Sequence, residues 1–308
     1  MASQILGAQV PGARFIDPSV LARISNLELL ARTVVEGFIN GLHRAPHLGA
    51  SMDFAEHRAY MPGDDIRRID WKLYARSDKY FIKEFEADTN VNFSILLDIS
   101  KSMNFAGSPN GVTKLDYARF MAACLAYFSS KQRDRVGMIT FDDEIRDYIP
   151  PSAKHLHVIL HALEKLKPGR KGNLDRPMVR LAEHFRRRSL IVVISDLYDE
   201  PRNVVDAIAH LKGKGNDVIV MHVLDRHEIE FPYDDASNFQ DLESDEKIPV
   251  VPYALRDKYQ KLIQDHVVAL TNLFSQNRID YTLFNTSQPL DIALFSYLSN
   301  RERLMRVR

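Results

Sequence analysis

From Val91 to the C-terminus, short apolar runs alternate with stretches of helical period, and this alternation constrains the fold more than any other feature. The runs are VNFSILLD (91–98), RVGMITF (135–141), LIVVIS (190–195), VIVMHVL (218–224) and DYTLF (280–284). Apolar residues recurring every three to four positions predict helices over 113–131, 153–167, 176–187, 203–212, 253–276 and 289–303. Strands this short and this continuously apolar are buried on both faces, and helices between them supply the crossovers that parallel pairing requires. The run at 145–149 follows the turn residues DDE and pairs most simply as a hairpin with 135–141. Residues 91–308 are therefore expected to form an α/β, Rossmann-like sandwich: a mostly parallel sheet with helices on both faces. The stretch 225–252, with Asp234, Asp235, Asp241, Glu243, Asp245 and Glu246, reads as a polar insertion outside the core.

Residues 1–90 differ in character and are expected to form a separate N-terminal unit. Ser19 follows Pro18 as a candidate N-cap, and Val20, Ile24, Leu27, Ala31, Val34, Phe38 and Leu42 mark one amphipathic helix ending near Gly41. Between His57 and Asn90, seven Lys or Arg and seven Asp or Glu are interleaved with Tyr60, Trp71, Tyr74, Tyr80, Phe81 and Phe85. Mixed charge at that density predicts a salt-bridged layer. Some of Asp64, Asp65, Arg67, Arg68, Asp70 and Arg76 are expected to be partly buried beside Trp71.

Forty-one basic residues balance forty-one acidic ones, so no overall field draws in nucleic acid. The one cysteine, Cys124, excludes an intrachain disulfide framework and any multi-cysteine metal cluster, which fits a reducing compartment. No apolar run approaches the roughly 18–20 residues that span a bilayer. The first residues lack the basic and apolar regions of a secretory signal. A cytoplasmic protein is expected, with no nucleic-acid partner and no membrane span.

The sharpest chemical feature is LLDISKSMNF, which places Asp98, Ser100 and Ser102 at the end of the first strand. Asp196 ends the strand IVVISD in the same way. Ligands of open α/β sheets bind beyond the carboxyl ends of strands. If these two strands are neighbours, carboxylates and hydroxyls converge as hard oxygen donors suited to Mg2+, with Mn2+ or Ca2+ as alternatives. The bland reading of D-x-S-x-S is a helix N-cap after a strand. His155, His157 and His161 share one predicted helix but lack an accompanying zinc motif, and Arg186, Arg187 and Arg188 suit a helix C-terminus. No nucleophile elbow, phosphate loop, dinucleotide turn or zinc-protease helix is present, so no catalytic residues are assigned.

The D-x-S-x-S string with a second strand-ending aspartate resembles the metal-ion-dependent adhesion site (MIDAS) of von Willebrand factor A domains. The resemblance implies Ser100 and Ser102 as direct ligands, Asp98 and Asp196 as outer or shared ones, and a coordination position left open for a partner's carboxylate. The preceding segment, SMDFAEHRAYMPGDDIRRIDWKLYARSDKYFIKEFEADTN, resembles the signature of the domain-of-unknown-function 58 family, whose members carry an A-like domain. Members are often encoded beside MoxR-type AAA+ ATPases, which implies such an ATPase or its client as partner. Where an A-like loop offers a threonine ligand, this chain reads KGNLD, which leaves Asn173, Asp175 or no residue in its place. The expected function is a metal-dependent protein-interaction module. A Mg- or Mn-dependent phosphoester hydrolase and a metal-independent scaffold are the alternatives.

Overall fold

The computed structural model describes residues 18, 26–44, 57–60, 74, 79–83, 91–108, 111–185, 188–213, 215–242 and 246–306. Among them the principal sheet has six strands: β3 (Asn92–Asp98), β4 (Arg135–Phe141), β5 (Ile145–Ser152), β6 (Ser189–Ser195), β7 (Asp217–Leu224) and β10 (Asp280–Asn285). Their order is β10-β7-β6-β3-β4-β5, and every pairing is parallel except that of β4 with the edge strand β5. The expected α/β sandwich with a mostly parallel sheet is the fold observed. Chain order reverses between β3 and β6, where Leu97 of β3 faces Ile194 of β6. That reversal opens a crevice at the carboxyl ends of these two strands.

Side chains of the central strands alternate between two cores. Phe93, Ile95 and Leu97 of β3 point to one face, with Leu190, Val192 and Ile194 of β6; Leu96, Ile191 and Val193 point to the other. The first face is covered by α1 (Leu27–Arg44), α2 (Lys114–Lys131), α3 (Leu156–Glu164) and α8 (Leu290–Arg306). The second is covered by α4 (Asp175–His184), α5 (Pro201–Lys212) and the distal end of α7 (Pro252–Gln276), through Leu270 and Phe274.

Helix α2 departs from the one-sided pattern expected of it. Fourteen of its eighteen residues are buried, because Leu27, Leu30, Ala31, Val34, Val35 and Phe38 of α1 pack in the same core on its outer side. A helix enclosed on all sides can be apolar on all sides. Asn26 accepts the Leu29 N–H at 2.9 Å and caps α1; Ser19 lies outside the described residues. Strand β5 runs on to Ser152 through Pro150 and Pro151, which an edge strand tolerates, so α3 begins only at Leu156.

The 225–252 stretch is more ordered than expected. It carries α6 (Arg226–Glu230) and a hairpin of β8 (Ser237–Gln240) and β9 (Lys247–Val250), and Phe231 is buried against Tyr233, Phe239 and Tyr259. In the charged aromatic segment, β1 (His57–Ala59) pairs antiparallel with β2 (Phe81–Lys83), and Tyr74 stacks on Tyr80 with ring centroids 4.5 Å apart. Asp64, Asp65, Arg67, Arg68, Asp70, Trp71 and Arg76 lie outside the described residues. Among the described residues no helix is long and apolar enough to cross a membrane.

Candidate metal centre at the sheet crevice

Burial of β3 carries Asp98 into the crevice, where its carboxylate is 5% exposed. Its Oδ1 accepts the Ser100 N–H at 2.8 Å and its Oδ2 accepts the Ser195 hydroxyl at 2.6 Å. The chain then enters a short 3-10 turn, Lys101–Asn104, which brings the Ser100 and Ser102 hydroxyls within 3.0 Å of each other. Ser100 occupies the N-cap position of that turn yet makes no side-chain capping bond. Capping of α2 falls instead to Thr113, whose hydroxyl accepts the Asp116 N–H. The bland reading of D-x-S-x-S therefore fails for the serine placed to cap.

Strand β6 delivers Asp196 to the same crevice. The next residue, Leu197, is fully buried with φ of 51°. Left-handed backbone is uncommon for a bulky residue and is retained where the surroundings over-determine it; here the Leu197 N–H donates to Ser195 Oγ. Asp196 Oδ2 accepts from Lys114 Nζ at 2.8 Å, and the same ammonium reaches Glu228 Oε1 at 2.8 Å. Lys114 has no exposed surface, and its Nζ lies 4.6 Å from the Tyr198 ring centroid. Behind Asp196, His222 Nε2 bonds the Asp196 carbonyl and Nδ1 bonds the Tyr281 hydroxyl. Burial pushes the His222 pKa down to about 3, so the ring is neutral.

The loop before α4 closes the crevice. Gly169 donates its N–H to the Ile99 carbonyl at 2.6 Å, and a Cβ at Gly169 would collide with the Asp142 carboxylate. Lys101 N–H bonds the Arg170 carbonyl, and Arg170 N–H bonds Asp142 Oδ2. Burial opposes charge on Asp142, but the Arg146 guanidinium and the Arg170 and Glu144 N–H groups outweigh it and hold the carboxyl well below its ordinary range. Asn173 thus reaches the crevice wall, but its amide oxygen accepts from Asp175 N–H at 3.1 Å and Arg176 N–H at 3.4 Å. It caps α4. Asp175 sits exposed in the first turn of that helix.

Asp98, Ser100, Ser102, Asn173 and Asp196 therefore line one small cavity of about 30 Å3, beside Ser195 and Tyr198. That is room for a water or a single ion. Mg2+ holds oxygens at about 2.0–2.1 Å in an octahedron, so neighbouring ligands stand about 2.9 Å apart; the two serine hydroxyls are 3.0 Å apart. Burial, and then the Asp196 charge, push the Asp98 carboxyl up to about 7. With Asp98 ionised, Asp98, Asp196 and Glu228 against Lys114 leave two negative charges uncompensated among these four groups. The donor chemistry, spacing and charge suit a hard divalent cation. Among the described residues no group of three or more His, Cys, Asp or Glu is placed to hold a metal, and His157 and His161 instead face Glu28 and Glu164.

Sequence reasoning missed Lys114, Ser195, Glu228 and Asp142. Two signals were present. Lys114 stands at the first position of a helix, where the macrodipole disfavours a cation unless carboxylates meet it. Asp225 and Glu228 in DRHE carry the spacing of a capping box, which the structure contains.

The family described as Protein of unknown function DUF58 matches residues 56–269. Uncharacterized protein Rv1480 of Mycobacterium tuberculosis is 27% identical over 257 residues, covering 81% of this chain and 80% of its own length. Among solved structures, conserved hypothetical protein BatB from Bacteroides thetaiotaomicron is similar with a TM-score of 0.48 and 19% identity, over 69% of this chain and 99% of that one. The SpRpn10 VWA domain is similar with a TM-score of 0.38 and 14% identity, over 66% and 92%.

Proposed function

The chain belongs to the DUF58 family, and from that premise we propose that it is a protein-interaction module that docks an acidic partner through a divalent cation. Asp98, Ser100, Ser102 and Asp196 would hold the ion, Mg2+ before Mn2+ or Ca2+. Once bound, the cation would supply a Lewis-acidic position for a partner's carboxylate. Ser195 orients Asp98, and Lys114 orients Asp196. The loop pinned by Asp142 walls the crevice on the α4 side. The observation that carries this reading is the pair of serine hydroxyls at 3.0 Å in one cavity with two buried carboxylates. Capping does not account for it.

The partner we favour is a MoxR-type AAA+ ATPase or its client, on the family resemblance, and the compartment is the cytoplasm, on the single buried cysteine. A phosphoester hydrolase is the second reading. In that reading the same cation, held by the same oxygens, would activate a water for attack on the ester. Titration calorimetry with MgCl2 on the parent, Asp98→Ala and Ser100→Ala tests the metal, with binding expected only in the parent. Capture of the ATPase with and without chelator tests the docking, and a screen of phosphate esters with Mg2+ tests turnover. A parent that binds neither Mg2+ nor Mn2+ would leave metal-independent scaffolding as the better account.

A further inference from the structure

Helix α6 is five residues long with none of them buried, far too short to hold itself together. A capping box and contacts from other elements hold it, among them the Gln260 amide of α7, which donates to the Glu230 carbonyl at 2.6 Å. The Asp225 carboxylate accepts the His227 N–H, and Glu228 Oε2 accepts the Asp225 N–H at 2.8 Å. Thr286 donates its hydroxyl to Asp225 Oδ2 at 2.9 Å. A further contact comes from the cavity side, where Lys114 Nζ reaches Glu228 Oε1. The segment that follows the serines also presses on α6, since a Cβ at Gly107 would overlap the His227 ring and the Asp225 carboxylate.

We propose that Lys114 is a positioning residue that couples the candidate metal centre to α6, because Asp196 and Glu228 share its one ammonium. The inference deepens the cation-docking reading and rests on it for its biological use. Whatever engages the Asp196 carboxylate leaves Lys114 more fully to Glu228 and tightens the α6 cap. Conversely, removing the Glu228 charge concentrates the ammonium on Asp196 and makes that carboxylate a poorer partner for a cation. Such coupling is reciprocal by thermodynamic necessity. Occupancy of the crevice is thereby transmitted to the segment that leads into the β8–β9 hairpin and α7.

Two measurements test this, one of them needing no cation. Hydrogen exchange at peptides spanning 226–231 is compared between the parent and Asp196→Asn in chelator, with α5 as an internal reference. The inference expects exchange at α6 to slow by about fivefold or more in the variant while α5 is unchanged. Calorimetry with MgCl2 compares the parent with Glu228→Gln, a substitution outside the cavity, and affinity is expected to fall by about fivefold or more. Unchanged or faster α6 exchange in a folded Asp196→Asn overturns the coupling, even when the parent binds Mg2+ and the docking reading stands. If Asp196→Asn does not fold, equal Mg2+ affinity in Glu228→Gln and parent overturns it. Slowed α6 exchange in a protein that binds no Mg2+ supports the coupling and removes the metal reading alone.

Discussion

Lys114 meets Asp196 inside the protein, Nζ to Oδ2 at 2.8 Å, with side chains 0% and 4% exposed. A buried ammonium is tolerated only when paired, and removing one member strands the other. Lys114→Met should therefore cost about 3–5 kcal/mol in urea unfolding, since both Asp196 and Glu228 lose their cation. A cost under about 1 kcal/mol, ordinary for an exposed pair, would contradict this burial.

Asp98→Asn is expected to separate stability from cation binding. The substitution keeps the shape of the side chain and removes like-charge repulsion with Asp196. In chelator at pH 8 it should raise stability by roughly 1–3 kcal/mol, and Mg2+ should no longer shift the urea midpoint. Loss of stability without metal would show that the Ser195 and Ser100 hydrogen bonds to the carboxylate matter more than the repulsion.

The same carboxyl predicts a pH dependence. Its ordinary value of 3.8 rises to about 7 on folding, so between those values the folded state holds a proton that the unfolded state has released. Stability of the metal-free protein from this group is thus fully present below about pH 4 and is lost as pH rises toward 7. A cation must displace that proton, so Mg2+ affinity should climb with pH up to about 7 and level off above it. Calorimetry from pH 5.5 to 8.5 checks this, and Asp98→Asn should abolish the slope in stability.

Asn173 is expected to behave as a cap and not as a ligand. Asn173→Ala should cost about 1 kcal/mol through loss of the bonds to Asp175 N–H and Arg176 N–H, with Mg2+ affinity nearly unchanged. Asn173→Thr should keep most of that stability without tightening Mg2+ binding, because a capping hydroxyl faces the helix. A large loss of affinity in Asn173→Ala would restore the amide oxygen to the coordination shell.

What the sequence by itself determined is what local period and strand polarity determine. Continuous apolar runs such as SLIVVIS cannot be half-exposed, so the sheet had to be covered on both faces. The terminal residues of such strands had to emerge at one edge, which placed Asp98 and Asp196 together as soon as β3 and β6 were neighbours. What only the tertiary structure decided depends on side chains far apart in the chain. Lys114 meets Asp196 across 82 residues and Glu228 across 114, and no periodicity encodes such a pairing. The second layer of α1 over α2 made an amphipathic reading of α2 too narrow. The polar look of 225–252 hid Asp225, which is buried, and Glu228, which is half-buried, each with a partner from another element. The sequence offered Asn173, Asp175 or no residue in the place of a loop threonine. That the Asn173 amide oxygen meets the Asp175 and Arg176 N–H groups came from the helix that begins two residues later, since unsatisfied N–H groups at a helix start take the nearest side-chain oxygen.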